Sequence, residues 1–207
     1  MRFAEMLNLL LVIVIIIQVL SNSRMAQSQP VPVAKVESAA ASAPQASSLT
    51  DETAALSDQV LKNIHERKSV RNFTSAEVSE EQLIALVKAG MAAPTARNRQ
   101  PWQFVVIRDK PLMQDLAGRL PYAKMLASAS AAITVCGDLE IARVGNSENM
   151  WMLDCSAATQ NILLAIESMG LGGVWTACYP YEDRMHTVAA ALNLPEHIVP
   201  LCIIPVG

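Results

Sequence analysis

The sequence has little cysteine, few aromatic side chains and almost no net charge. Its 207 residues include four Cys and three each of Trp, Tyr and Phe, and 16 Lys and Arg against 19 Asp and Glu give a net charge of −3. Four cysteines are too few for a disulfide-scaffolded miniprotein. The slightly acidic balance excludes a protein that binds nucleic acid through bulk positive charge.

Several standard motifs are also absent. The sequence has no CxxC, no HExxH and no P-loop, and the glycines at 170, 172 and 173 are followed by Val and Trp, so they do not form the GxGxxG dinucleotide loop. The three histidines, His65, His186 and His197, are scattered on predicted helix ends. We therefore expect no metal site.

The first 49 residues differ in composition from the rest of the chain. Residues 6–20 are an apolar run broken only by Asn8 and Gln18, so residues 1–24 are predicted to be a signal peptide or an N-terminal membrane anchor. The localisation predicted is therefore membrane-anchored or exported, on an unknown side of the membrane. Residues 25–49, rich in Ala, Ser, Pro and Gln, are predicted to be a disordered linker, and residues 50–207 the folded domain.

Helical and strand patterns alternate along residues 50–207. Apolar spacing predicts helices at 56–66, 83–91, 111–120, 122–128, 150–169 and 182–192, the second of them opened by a capping box that begins at Ser79. Short β-branched runs predict strands at 102–107, 131–136, 174–177 and 198–206. The expected fold class is α+β, in a three-layer, α/β/α-like arrangement around a central sheet.

Two segments carry the residues best suited to bind a ligand. The first, here called the basic segment, is residues 67–71 (RKSVR), where guanidinium groups can bind phosphate through paired N–H donors. The second, here called the amide loop, is residues 93–102 (APTARNRQPW), where Asn98 and Gln100 offer amides of the kind that read a heterocycle edge.

Together these two segments resemble the FMN-dependent nitroreductase family. Its members read roughly R-[RK]-S-x-R-x-[FY] near the start and A-P-[ST]-x-x-N-x-Q-P-W before the first central strand, and both patterns stand here nearly intact. A third stretch agrees, with Asp154 and Gln160 on a predicted helix followed by residues 170–176. The resemblance covers residues 55–207. It implies a nitroreductase-type fold, with a mixed central sheet flanked by helices in an intertwined homodimer.

The resemblance also implies FMN as cofactor, with binding roles carried over position by position. Arg67 and Ser69 match residues that bind the FMN phosphate and ribityl side, and Lys68 lies alongside. Arg71 is expected near the N1–C2=O edge of the flavin. Further residues match positions along the isoalloxazine and ribityl chain or beside N5: Pro94, Thr95, Asn98, Gln100, Trp175, Thr176 and Ala177. Lys124 matches a ring-edge lysine of some members only loosely. Catalysis is expected from the flavin itself, with Arg71 and Lys124 as electrostatic support.

The function implied is an FMN-dependent NAD(P)H oxidoreductase that works in two half-reactions. NADH or NADPH reduces the flavin, and a nitroaromatic, quinone or similar acceptor then takes the electrons. The alternative is a flavin-binding module or degenerate scaffold without turnover. Family members continue past the last strand into an arm with a Lys/Arg pair, and because the chain ends at Gly207 we expect this C-terminal arm to be missing.

The four cysteines leave two interpretations open. Cys136, Cys155, Cys178 and Cys202 lie in or beside apolar segments, which is typical of small buried hydrophobic residues. An exported domain would instead favour a disulfide pair.

Overall fold

The computed structural model describes residues 46–142 and 150–207, without the side chains of residues 46–52. The described ranges contain helices and strands in alternation. The helices are α1 (Ala46–Glu66), α2 (Glu80–Met91), α3 (Lys110–Arg119), α4 (Leu139–Ala142), α5 (Met150–Ser168) and α6 (Glu182–Ala191). The strands are β1 (Trp102–Ile107), β2 (Ala131–Asp138), β3 (Thr176–Ala177) and β4 (Ile198–Val206). Two short 3-10 helices cover Ala96–Asn98 and Lys124–Ala127.

The four strands form one sheet in the order β1-β2-β4-β3. Each pair of neighbours is antiparallel, with Val135 of β2 opposite Phe104 of β1 and Cys202 of β4. The expected mixed sheet is therefore an antiparallel one within the described residues. Interleaved helices do not determine strand direction, because a connection that contains a helix can return the chain to the sheet in either sense.

Helices cover both faces of the sheet, which confirms the α+β class. One core packs α2 and α5 against the sheet, and the second packs α3 and α6 against its other face. Strand β4 shows the alternation directly, because Cys202 and Ile204 belong to the first core and Ile203 belongs to the second.

Local sequence signals place the ends of two of these helices. Ser79 caps α2 by accepting the backbone N–H of Gln82, while the Gln82 side chain accepts the backbone N–H of Ser79. Helix α5 stops at Ser168, and Gly170 follows with φ of +68°, a conformation that glycine adopts without strain. These signals place the start of α2 and the end of α5.

Helix α1 crosses the division of the chain into compact units between Lys62 and Asn63, so its two parts are described separately. In the part before Asn63, Leu56 and Val60 are exposed at 63% and 59%. Ile64, one turn further on, is also exposed. The part of the helix before Asn63 therefore exposes apolar side chains to solvent.

The predicted localisation, membrane-anchored or exported through the N-terminal segment, has to be corrected. No helix within residues 46–142 and 150–207 is long and apolar enough to cross a membrane. The apolar run of residues 6–20 and residues 25–45 of the predicted linker lie outside the described residues. The last four residues of that linker, 46–49, are helical and belong to α1. An apolar run alone did not justify that localisation, and we withdraw it.

Candidate functional site

The basic segment leaves α1 and is anchored beside the C-terminal half of α5. The Val70 N–H donates to the carbonyl O of Gly173 at 3.0 Å. Just upstream, the Asn63 side-chain amide donates to the carbonyl O of Leu164 at 3.0 Å. A side-chain bond to α5 and a backbone bond to the segment after α5 therefore fix the position of the segment.

The cations of the basic segment have no acidic partners among the side chains that the structure describes. Within residues 53–142 and 150–207, no carboxylate oxygen lies within 4.0 Å of the side-chain nitrogens of Arg67, Lys68 or Arg71. Lys68, Ser69 and Arg71 are exposed and Arg67 is half-buried. These groups can therefore accept an anionic ligand without first breaking an ion pair.

Lys68 differs in position from its neighbours on this segment. A cavity of about 380 Å³ is lined by Lys68 and Val70 but not by Arg67, Ser69 or Arg71. Successive side chains of an extended segment point to opposite sides, so alternate residues lie on opposite sides of it. The structure thus divides Lys68 from the three residues with which it was grouped in the sequence.

The segment after α5 lies directly against the basic segment. The backbones of Gly172 and Gly207 exchange two hydrogen bonds, of 2.6 and 3.1 Å, which ties this segment to the end of β4. Thr176, in β3, is 8% exposed, and its Oγ1 has no hydrogen-bond partner among the described residues. A buried hydroxyl without a partner is costly unless a ligand or water satisfies it.

The amide loop has a strained backbone. Arg97, Asn98 and Gln100 have φ of 55°, 54° and 51°, in the left-handed region that non-glycine residues rarely adopt. Bonds inside the loop hold this shape, since the Gln100 N–H donates to Thr95 Oγ1 at 3.1 Å and the Gln100 amide donates to Asn98 Oδ1 at 3.0 Å. Strain of this kind concentrates at functional sites.

Asp154 fixes the amide loop to the N-terminal half of α5, a role that sequence reasoning did not assign. Its Oδ1 accepts the Ala96 N–H at 2.9 Å, and the residue is only 6% exposed. Its partner lies 58 residues earlier in the chain, so no local pattern could reveal the bond. The available sequence signal is a carboxylate on an otherwise apolar helix face.

The structure brings together only part of the predicted site within one chain. The basic segment adjoins Gly172 and Gly173, whereas the amide loop is attached at Asp154. Leu164, which binds Asn63 just upstream of the basic segment, follows Asp154 by ten residues, so these two attachment points are about 15 Å apart along α5. Lys124 is exposed and begins a short 3-10 helix whose Leu126 is buried in the second core, on the other face of the sheet from α5.

These features define an α+β protein in which Arg67, Lys68 and Arg71 have no carboxylate partner among the described side chains and lie on a segment tied to the backbone after α5. The family model described as "Nitroreductase family" matches residues 64–135 and 110–207. The chain belongs to this family, as its sequence motifs predicted.

Individual relatives agree with this assignment. The chain is 40% identical over 150 residues to a protein of Archaeoglobus fulgidus named provisionally as an NADH dehydrogenase/NAD(P)H nitroreductase, covering 72% of this chain and 85% of that protein. A crystal structure with the same provisional name, from Bacteroides thetaiotaomicron, is 52% identical with a TM-score of 0.68, covering 72% and 85% of the two chains. A provisional nitroreductase from Desulfovibrio desulfuricans, solved in complex with FMN, is 31% identical with a TM-score of 0.62, covering 72% and 84%.

Proposed function

We propose that the protein is an FMN-dependent NAD(P)H oxidoreductase of nitroreductase type that reduces nitroaromatic, quinone or similar acceptors. The observation that carries the proposal is the pair of cations Arg67 and Arg71, which have no carboxylate partner among the described side chains. Their segment is held by the backbone bond from the Val70 N–H to the carbonyl O of Gly173. The name of the Archaeoglobus relative and the FMN complex of the Desulfovibrio relative support the same activity. We assign this activity to a domain of residues 50–207.

The residues present fit FMN. Arg67 and Ser69 would bind the phosphate through charge-assisted hydrogen bonds, for which they have no competing acidic partner among the described side chains. The hydroxyl of Thr176, which has no partner among the described residues, would be free to bond to a polar group at the flavin edge. In the amide loop, Asn98 and Gln100 carry amides that can bond to the heterocycle or the ribityl chain.

The protein's own residues bind and orient, and the cofactor supplies the redox chemistry. FMN, when bound, accepts a hydride equivalent from NADH or NADPH and passes electrons to the acceptor. Arg71 would place a fixed positive charge at the flavin edge where negative charge accumulates on reduction. We propose Trp175 and Ala177 as neighbours of the reactive face, and Pro94 and Thr95 as contacts that shape the amide loop around the ring. We keep Lys68 in the proposed cofactor-binding set, as a cation further from the flavin than Arg67 and Arg71.

We further propose that the protein is a homodimer whose flavin site takes the basic segment from one copy and the amide loop from the other. The separation of about 15 Å between their attachment points along α5 supports this arrangement. The exposed side chains of Leu56 and Val60 support it as well, because a second copy could cover them.

An absorption spectrum of the purified full chain, with and without reductant, tests the activity. We expect a yellow protein that bleaches with NADH or NADPH under anaerobic conditions and recolours when a nitroaromatic or quinone is added. A protein that binds FMN but never bleaches would instead be a flavin-binding module without turnover. A protein that takes up no FMN would contradict both.

A further inference from the structure

We propose that Asp154 is a positioning residue, whose carboxylate holds the amide loop in the shape that binds FMN. The inference rests on the proposed function, because the loop matters for the cofactor only if FMN binds there. Asp154 itself was given no role by the family motif, and it does not belong to the set of residues proposed to contact the flavin.

The geometry singles out this carboxylate. Asp154 is 6% exposed, and its Oδ1 accepts the Ala96 N–H at 2.9 Å. Ala96 opens the 3-10 helix Ala96–Asn98, so this N–H has no partner within that short helix. A carboxylate that accepts a backbone N–H forms a charge-assisted bond, stronger than a bond between neutral groups. Asp154 therefore determines where the loop begins its turn.

The strain of the loop makes such an anchor necessary. Arg97, Asn98 and Gln100 all adopt left-handed φ, and a strained backbone persists only when its surroundings hold it in place. Two of the restraints, from Thr95 to Gln100 and from Gln100 to Asn98, are internal to the loop and would move with it. The bond from Asp154 ties the loop to α5 and so to the first core.

A purely structural role is the competing explanation, and the chain offers a matched control. Asp109 also accepts one backbone N–H, that of Leu112 at 2.7 Å, but it lies beyond the far end of β1, where it caps α3. Asp109→Ala removes the same kind of bond at a place remote from the amide loop. An effect that follows only from lost stability will appear in both variants.

Three further variants isolate the bond. Asp154→Ala removes the acceptor, and Asp154→Asn keeps an oxygen that can accept the same N–H. Ala96→Pro removes the donor instead. The backbone suits a proline there, because Thr95 is extended (φ −133°, ψ 154°) and Ala96 is the first residue of the 3-10 helix. The ring takes the place of the N–H, so Asp154 Oδ1, 2.9 Å from that nitrogen, must move away. Asp154→Asn and Ala96→Pro keep the inference testable if Asp154→Ala does not fold.

The experiment is a titration of each full-length apo-protein with FMN, followed by quenching of flavin fluorescence, together with the thermal unfolding midpoint of the apo-protein. We expect Asp154→Ala and Ala96→Pro each to raise the FMN Kd about ten- to hundredfold, as the loss of one charge-assisted bond would do. Asp154→Asn should stay within about threefold of the wild type, and Asp109→Ala should bind FMN normally despite a comparable loss of stability. The double variant Asp154→Ala, Ala96→Pro should bind FMN no more weakly than either single variant, because both substitutions remove the same bond.

Each other result has one meaning. If the wild-type chain binds no FMN, the proposed function fails and this inference fails with it. If the wild type binds FMN and Asp154→Ala binds it equally well, only the role of Asp154 is overturned. A loss of affinity in Asp109→Ala as large as that in Asp154→Ala would reduce Asp154 to a structural residue.

Discussion

The four cysteine side chains are buried and unpaired in the described structure. Burial raises the pKa of Cys155 and of Cys178 to about 12, and raises those of Cys136 and Cys202 as well. The Cys155 thiol donates to the carbonyl O of Cys136 at 3.4 Å. Of the two interpretations that the sequence left open, the structure favours protonated thiols that fill the core, because no disulfide joins them.

The raised thiol pKa values predict that stability falls in alkali. Below about pH 9, the ordinary thiol pKa, folded and unfolded chains both keep these protons, so pH has no effect through them. Above it only the unfolded thiols ionise, and each buried thiol lowers the free energy of unfolding by about 1.4 kcal/mol per pH unit. Urea unfolding at pH 8 and pH 10 measures this fall. The Cys155→Ala, Cys178→Ala double variant should fall less steeply, and an equal slope would contradict the assignment.

Arg67 gives the most direct test of the basic segment. Arg67→Ala should weaken FMN binding by about 1.5–3 kcal/mol, the value of a hydrogen bond to a charged group. The matched control is Arg119→Ala, since Arg119 is exposed and pairs only with Asp115 one turn away, at 2.9 Å. Equilibrium dialysis against FMN compares the two. If both variants retain FMN like the wild type, Arg67 is an ordinary surface residue.

Gly172 determines how closely the segment after α5 approaches the basic segment. A Cβ at this position would lie 2.7 Å from Val70 Cγ1 and 3.0 Å from Val70 Cβ, so Gly172→Ala must displace the Val70 side chain or the backbone that carries it. We expect it to cost about 1–3 kcal/mol of folding stability and to weaken FMN binding, because Arg67 and Ser69 move with Val70. Chemical unfolding and an FMN titration measure the two effects.

Gly118→Ala is the control for that prediction. Gly118 lies in α3, and nothing lies within 4 Å of a Cβ built on it. Alanine there should stabilise the protein by up to about 1 kcal/mol, because alanine is the better helix former, and should leave FMN binding unchanged. Tight FMN binding by Gly172→Ala would show that the packing of these two segments does not shape the site.

Elements with strong local patterns could be predicted from the sequence. Strands 102–107 and 198–206 were predicted at their observed bounds, and the long helix predicted at 150–169 is α5, Met150–Ser168. Weaker patterns overshot, since the helix predicted at 122–128 is the 3-10 helix Lys124–Ala127, and the strand predicted at 174–177 is only the two residues Thr176–Ala177. The length of β3 is set by its pairing with β4, which is a long-range contact.

The same limit applies to the site. The basic segment and the amide loop could be found from residue type and spacing, because their side chains carry the chemistry. The bond from Asp154 to Ala96 and the approach of Val70 to Gly173 join residues far apart in the sequence. Composition and periodicity contain no information about such pairs. The relation between the two segments therefore had to come from the fold.

At the scale of the whole molecule, α5 sets the spacing between the two candidate binding segments. It carries the amide loop near its N-terminal end and adjoins the basic segment near its C-terminal end. If the site is shared between two copies, each α5 supports two flavin sites. It supports one through the amide loop and the other through the basic segment. A site within one chain would require FMN to reach along the helix between the two attachment points.

A heterodimer of two differently disabled chains decides between these arrangements. One chain carries Arg67→Ala and Ser69→Ala. The other carries Asn98→Gly and Gln100→Gly, which remove the amides and leave residues that adopt left-handed φ without strain. Each variant alone should bind FMN weakly. When the two chains are co-expressed with different affinity tags and purified through both, a shared site predicts one intact site, and so one tightly bound FMN, per pair of chains, because one undamaged basic segment meets one undamaged amide loop. A site within a single chain predicts none, since every chain is damaged, and failure of the two tags to co-purify would contradict the homodimer itself.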